Sequence, residues 1–245
     1  MKIAVLSDIH GNLDALSAVF DDIAKQSVDQ VVNLGDILSG PLHPVETAEC
    51  LMARDIPTIR GNHERQLLTV PIDAMGASDR YTRERLSDKH LNWLRGLPTE
   101  MELEGDIMLT HGAPGNDVQY LLETVDMSAV RAATEDEIVE RLIGTKHSLI
   151  LCGHTHIPRH VQLSDGRVVV NPGSVGLQAY NDRNPFPHVI QTGAPEARYA
   201  IIECISGKWS IDLRRVAYDS AAASDLAFRN GRTDWATALR TGRLA

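Results

Sequence analysis

The 245-residue sequence contains only three cysteines, Cys50, Cys152 and Cys204, and none of them form a C-x-x-C pair. Three scattered cysteines do not make a disulfide framework, and this pattern is typical of a reducing compartment. We therefore expect a cytoplasmic protein in which the cysteines serve as small core residues.

The sequence also lacks any run of lysine and arginine, and its formal net charge is −9. Non-specific binding to nucleic acid is therefore disfavoured, because it needs cations that neutralise phosphates. The first residues contain one lysine and an apolar run of four, which predicts neither a signal peptide nor a membrane span. A negatively charged chain can still bind a phosphorylated molecule where bound metal ions reverse the local charge.

Neither internal repeats nor a low-complexity linker divide the chain. With 43% hydrophobic residues, a chain of this length can bury a substantial core. We predict one main domain over residues 1–217. A helical tail over residues 218–245 would pack on the same domain or on a partner subunit, so an oligomer is one outcome.

The first 60 residues alternate between apolar runs and helical patterns. Residues 3–6, 31–34 and 57–60 predict short strands, and residues 13–26 and 44–54 predict the helices between them. This order is typical of a parallel sheet with helices on its faces. Ligand sites in such sheets gather at the carboxyl ends of the strands.

After residue 64 the chain combines further helices with hairpins and one buried strand. The strand covers residues 148–152, and the proline-rich residues 184–195 predict an exposed excursion. The remaining predictions are helices over 81–86, 88–97, 135–143 and 219–245, and hairpins over 101–110 around Gly105, 161–170 and 199–213.

Side chains that can bind metals follow the predicted strands. Asp8 and His10 come after the first strand, and residues i and i+2 of an extended chain point to the same side, so both can reach one ion. An isolated D-x-H pair is more often an ordinary surface carboxylate beside a histidine. The argument for a site therefore depends on the residues that follow the later strands: Asp36, Asn62, His63, His111, His154 and His156.

These side chains offer carboxylate, amide and imidazole groups without thiolate. Such a set suits Mn²⁺, Fe or Zn²⁺ and is a poor match for Ca²⁺ or Mg²⁺ alone. Seven ligands exceed what one tetrahedral site needs, so two divalent ions that share a carboxylate are expected. Two such ions can hold a bridging hydroxide and clamp a phosphoryl group for in-line displacement.

The candidate residues lie in five motifs: D-x-H at 8–10, G-D at 35–36, G-N-H-E at 61–64, H-G at 111–112 and G-H-T-H at 153–156. Taken in order, these motifs resemble those of the calcineurin-like metallophosphoesterase superfamily. Residues 171–176 and the small size are similar to its compact bacterial phosphodiesterase branch. The resemblance implies an α/β fold, a four-layer α/β/β/α sandwich with two central mixed β-sheets.

The resemblance also implies a role for each site residue. His63, which is not a ligand, would face the phosphoryl group, stabilise the transition state and protonate the leaving oxygen, a task that suits an imidazole. Asp36 would bridge both ions, because a carboxylate has two oxygens, and Asn62 completes the catalytic set. One ion would take Asp8, His10 and His156, and the other Asn62, His111 and His154.

The leading hypothesis is a dinuclear metal-dependent phosphodiesterase acting on a small phosphorylated substrate, with a nucleotide derivative as one candidate. Residues 37–41 lack the arginine of the Ser/Thr protein phosphatases, which argues against that group and against the diadenosine tetraphosphate hydrolases. A site with few cations should suit a monoanionic diester. The alternatives are a phosphomonoesterase or nucleotide phosphatase, and a non-catalytic scaffold such as the retromer subunit of this fold. The natural substrate and the metal stay open.

Overall fold

Two mixed β-sheets form the centre of the protein in the computed structural model, which describes residues 1–104, 106–127 and 129–244. The helices are α1 (Leu13–Ile23), α2 (Pro44–Met52), α3 (Asn62–Thr69), α4 (Ala77–Arg83), α5 (Asp88–Gly96), α6 (Glu135–Arg141), α7 (Ser220–Arg229) and α8 (Thr233–Thr241). The strands are β1 (Lys2–Leu6), β2 (Gln30–Asn33), β3 (Glu100–Leu103), β4 (Ile107–Thr110), β5 (Glu123–Val125), β6 (Val130–Ala132), β7 (Leu149–Leu151), β8 (Arg159–Gln162), β9 (Val168–Asn171), β10 (Ala179–Asp182), β11 (His188–Gln191), β12 (Ala197–Ile205) and β13 (Lys208–Val216).

The first sheet has the strand order β13-β12-β1-β2, and the second has the order β3-β4-β7-β9-β8. In the first sheet, β1 lies parallel to β2 and antiparallel to β12. In the second sheet, the inner pairs β4–β7 and β7–β9 are parallel, and the outer pairs are antiparallel. Two small hairpins, β5–β6 and β10–β11, lie outside these sheets.

Alternating side chains on β1 divide the core into layers. Ile3 and Val5 pack between the two sheets, against residues such as Leu109 of β4. Ala4 and Leu6 point to the other side and pack under α1 and α2. The second sheet carries α6 on its outer face. The layers are therefore helix, sheet, sheet and helix, and the predicted four-layer α/β/β/α sandwich with two mixed sheets is confirmed.

Two predicted elements differ in the structure, and a third lies partly outside the described residues. Residues 57–60 form only an isolated bridge between Thr58 and Asn33, because the chain turns into α3 directly afterwards. The hairpin over residues 101–110 is present as β3 and β4, whereas its predicted turn residue Gly105 lies outside the described residues. The proline-rich excursion contains β11, which pairs with β10.

The last two helices pack against each other and against the hairpin β10–β11. Trp235 and Leu239 of α8 are buried in an apolar cluster with Leu177 and Ala179, which precede or begin β10. This cluster places α8 beside the edge where the candidate site residues lie. Within the described ranges, no helix has both the length and the apolar composition that a bilayer crossing requires.

We expect Leu109→Ala to lower the free energy of unfolding by about 2–5 kcal/mol, because Leu109 is fully buried between the sheets and the change leaves a cavity. Ile143→Ala is the control, since Ile143 is 79% exposed and should change stability by less than about 0.5 kcal/mol. Urea denaturation of both variants measures the difference. Equal midpoints for the two variants would contradict this account of the core.

Candidate metal centre

The eight candidate residues meet at one edge of the two sheets. Asp8 and His10 follow β1, Asp36 follows β2, and His111 follows β4. Asn62 and His63 open α3, and His154 and His156 follow β7. Two groups form there, and in each the possible ligand atoms lie within 4.8 Å of one another. The groups are Asp8, His10 and His156, and Asp36, His111 and His154.

Tight turns after the strands aim these side chains inward. Five of the candidate residues have a positive φ, a conformation that non-glycine residues adopt rarely and at a free-energy cost of about 1–3 kcal/mol. Such strain persists only where surrounding contacts hold it, and it is concentrated at functional sites. The angles are 55° at Asp8, 53° at His10, 52° at Asp36, 70° at His154 and 58° at His156.

In the first group, the imidazoles of His10 and His156 point nitrogen lone pairs at each other. The Nδ1 of His10 lies 2.8 Å from the carbonyl of Ser39, and the Nδ1 of His156 lies 2.7 Å from the carbonyl of Leu177. A carbonyl accepts, so both Nδ1 atoms carry the proton and donate. The two Nε2 atoms, 3.1 Å apart, are then bare in the neutral rings. A cation between them would remove this repulsion.

The carboxylate of Asp8 fits the same interpretation. Its Oδ2 accepts hydrogen bonds from the Ser7 hydroxyl at 2.6 Å and from the His154 amide at 3.1 Å. Its Oδ1 lies 3.2 Å from the Nε2 of His156. This Oδ1 is fully buried, and no described residue hydrogen-bonds to it. A buried oxygen without a partner is costly, and a bound cation would satisfy it.

In the second group, backbone carbonyls again fix the imidazoles. His111 donates from Nδ1 to the carbonyl of Leu34 at 2.7 Å, so its Nε2 faces Asp36 Oδ2 at 3.2 Å. His154 has the opposite orientation: its Nε2 donates to the carbonyl of Val118 at 3.2 Å and its Nδ1 faces the site. Such outer hydrogen bonds select the tautomer that metal-binding histidines need.

Asn62 adds an amide oxygen to the second group. Its Oδ1 lies 3.2 Å from His111 Nε2, and the same position is 3.2 Å from Asp36 Oδ2 and 3.0 Å from His154 Nδ1. Hydrogen bonding among protein atoms alone favours the reverse orientation, with the amide nitrogen facing these acceptors. A cation at this point favours the oxygen. The donor set therefore fits a metal ion in this group too.

The electrostatics of the site favour bound positive charge. Burial opposes the ionisation of Asp8, but His156 and His111 outweigh it and hold its pKa at about 2. Burial also opposes protonation of His111, yet Asp36 raises its pKa to about 9. Burial and neighbouring imidazoles lower the pKa of His10 to about 3, so this ring is neutral at pH 7. Without metal ions, a proton on His111 supplies positive charge to the site. Bound metal ions would supply that charge instead.

Glu64, the last residue of the G-N-H-E motif, holds the loop that carries Asp36. Its carboxylate accepts from the backbone amides of Asp36 and Ile37, both at 2.8 Å, and from that of Gly61 at 3.0 Å. The G-N-H-E motif includes Glu64, but the sequence spacing alone did not indicate what this residue does. Three backbone contacts make it a positioning residue for Asp36.

His63 lies beside the two groups and is held by a residue that sequence reasoning missed. Its Nδ1 lies 2.6 Å from Asp79 Oδ1, and the Ser39 hydroxyl donates to the same oxygen at 2.6 Å. Burial opposes protonation of His63, but Asp36 and Asp79 raise its pKa to about 10. Asp79 lies on α4, where no motif marked it, so only the tertiary contact identifies it.

Residues 1–192 match the family model of the calcineurin-like phosphoesterase superfamily domain. The chain belongs to this superfamily. The predicted resemblance is confirmed, and membership of the calcineurin-like phosphoesterases supports a hydrolase that acts on phosphoesters.

Three similar proteins match the chain over nearly its whole length. The uncharacterized protein MJ0912 of Methanocaldococcus jannaschii is 26% identical over 259 residues, which cover 95% of this chain and 94% of MJ0912. A metallophosphoesterase from Sphaerobacter thermophilus is 26% identical, with a TM-score of 0.76 and 99% of each chain covered. The hypothetical protein PH1004 from Pyrococcus horikoshii OT3 is 20% identical, with a TM-score of 0.77 over 100% of this chain and 99% of its own, and shares the fold.

We expect Asp36→Ala to lower metal affinity by at least about 10-fold, because even outer hydrogen-bond partners of metal ligands have effects of this size. Elemental analysis of the purified, Mn²⁺-loaded and desalted protein measures the bound metal. Asp21→Ala on α1 is the control, since Asp21 is an exposed carboxylate outside the site. Equal metal contents in the two variants would remove Asp36 from the ligand set.

Proposed function

We propose that this calcineurin-like phosphoesterase is a dinuclear metal-dependent phosphodiesterase. The observation that carries the proposal is the pair of ligand groups at one sheet edge, each with two imidazoles and one carboxylate. Two ions of the Mn²⁺, Fe or Zn²⁺ class held there would lower the pKa of a bound water and offset the charge of a phosphoryl group. Asn62 would complete the shell of the second ion.

Asp36 is the residue that we assign to both ions. Its Oδ2 lies at the second group, 3.2 Å from His111 Nε2. Its charge also acts on His10 in the first group, where it opposes the lowering of the imidazole pKa. Its Oδ1 accepts from the His63 amide at 3.0 Å, which ties the carboxylate to the start of α3.

His63 would supply the proton that the leaving oxygen needs. Asp79 accepts from Nδ1 and fixes the ring, so the Nε2–H of the imidazolium is free to donate into the cavity that His63 lines. Asp36 and Asp79 raise the pKa of His63, which favours the protonated ring. A group that is protonated, oriented and beside the site suits general acid catalysis.

A diester fits the charge of the cavity better than a monoester. The cavity has a volume of about 760 Å³, which suits a small molecule. Among the described residues that line it, Arg232 carries the one side-chain cation of the lysine or arginine type, and this guanidinium is paired with Asp234. Apart from His63, a dianionic monoester would therefore find little positive charge beyond the ions. A phosphomonoesterase or nucleotide phosphatase is the second candidate.

We expect His63→Ala to lower turnover of a diester by about 10²- to 10⁴-fold, the usual contribution of a general acid. Bound metal should stay near that of the parent, because His63 belongs to neither ligand group. His160→Ala, which changes an exposed histidine on β8, is the control. Activity of His63→Ala within about threefold of the parent, about 0.7 kcal/mol on the barrier, would rule out this role.

The ester preference is measured with bis(p-nitrophenyl) phosphate and p-nitrophenyl phosphate, each with and without Mn²⁺. We expect kcat/KM to be at least about 10-fold higher for the diester, equal to about 1.4 kcal/mol. The reverse ratio would identify a phosphomonoesterase. No turnover of either substrate by protein that holds metal would favour the non-catalytic scaffold instead.

A further inference from the structure

The cavity continues beyond the ligand groups into a space between the hairpin β10–β11 and α8. We call this space the C-terminal chamber. The part of its wall formed by α8 lies after residue 192, where the match to the family model ends. The side chains that define it are Tyr180, Asn181, Asp182, Asn184, Arg232 and Trp235.

Two aromatic side chains join this chamber to the first ligand group. The Trp235 ring lies 5.9 Å from the His10 ring, and the Tyr180 ring lies 4.7 Å from the His156 ring, centroid to centroid. His10 and His156 are themselves 5.0 Å apart. An organic group attached to a phosphate at the ligand groups can extend along the part of the cavity wall that Tyr180 and Trp235 line. Large aromatic surfaces favour rings over charged groups.

The wall at Trp235 is held in place by the loop that follows Asp36. Trp235 is only 6% exposed, and a Cβ added at Gly40 would come within 2.8 Å of its ring. Arg232 covers the indole from another side, with its guanidinium carbon 5.5 Å from the ring centroid. A rigid wall needs little reorganisation when a ligand binds, which favours binding.

The charges in the chamber are already compensated. Arg232 donates to Asp234 through Nε at 3.0 Å and Nη2 at 2.7 Å, and its Nη1 donates to the Ser78 hydroxyl at 2.7 Å. Asp182 Oδ1 accepts from the backbone amides of Arg183 and Asn184. A second phosphate would meet no uncommitted cation on the described walls, whereas the amide side chains can hydrogen-bond to an uncharged group.

We propose that the C-terminal chamber binds the organic group of the phosphoester substrate, and that this group is uncharged, ring-bearing and hydrogen-bonding, with the chemistry of a nucleoside. The aromatic side chains contact its ring, and the amides of Asn181 and Asn184 contact its polar edge. The inference rests on the proposed phosphodiesterase function for the position of the phosphate. It makes α8 a determinant of specificity.

The test compares p-nitrophenyl diesters that share one leaving group, with Mn²⁺-loaded full-length protein. The second ester group is thymidine (through its 5′ oxygen), methyl or choline. We expect kcat/KM for the thymidine diester to exceed both others by at least about 10-fold, a ratio in the range that pocket contacts provide. An equal or lower value for the thymidine diester would overturn the inference and leave the phosphodiesterase function intact.

Variants show whether the chamber causes the preference. Trp235→Phe and Asn181→Ala should each reduce the thymidine-to-methyl ratio of kcat/KM by about 3- to 10-fold. Trp209→Phe and Asn92→Ala, which alter the same residue types on β13 and α5, should leave the ratio within about twofold. Equal ratios in all four variants would contradict the assignment. Trp235→Phe keeps an aromatic ring in the core, and Asn181 is exposed, so folding is retained in at least one variant.

A binding titration separates the two proposals. Calorimetry measures the affinity of the metal-loaded protein for thymidine 5′-phosphate and for inorganic phosphate, without any turnover. Binding of thymidine 5′-phosphate at least about 10-fold tighter, with the excess reduced in Asn181→Ala, supports the chamber even if no diester is hydrolysed. Equal affinities would overturn the inference. Absence of hydrolysis with tight nucleotide binding would overturn the phosphodiesterase function alone.

Discussion

The structure depends on a cluster of hydrogen-bond acceptor atoms that are buried together at one edge of two sheets. Each imidazole of the two ligand groups donates one of its protons to a backbone carbonyl, so its other nitrogen faces the site. Asp8 adds an oxygen without a partner among the described residues. Electrostatic repulsion among these atoms works against folding unless positive charge occupies the centre. A bound cation would therefore stabilise the folded chain.

The scaffold resists this repulsion through backbone contacts. Left-handed turns at five candidate residues aim the side chains inward. The Glu64 carboxylate accepts hydrogen bonds from three backbone amides around the Asp36 turn. The parallel pairing of β1 with β2 brings the Asp8 and Asp36 turns side by side, and the Asp8 amide donates to the Gly35 carbonyl. Backbone contacts at the sheet edge therefore set the positions of the site residues more than any one side chain does.

The sequence predicts the eight site residues because each lies in a local pattern, an apolar run followed by a polar motif, and the four layers follow from the family resemblance of those motifs. It does not predict Asp79 or Trp235, because both reach the site only through packing of segments that are distant along the chain. It also overextends the third strand, where an apolar run before a turn is too short to pair beyond Thr58. Sequence periodicity predicts the secondary structure of one segment, whereas contacts between distant segments depend on the whole fold.

The position of β1 has a consequence for how the protein is made. Its neighbours in the sheet are β2, which follows at once, and β12, which begins at Ala197. A chain that emerges from the ribosome from its N-terminus therefore presents Asp8 and His10 long before the strand that completes their sheet is synthesised. His156 of the same group also arrives late. The candidate site therefore assembles only after residues far apart along the chain have been synthesised, so a chain that ends before His156 lacks part of the first group.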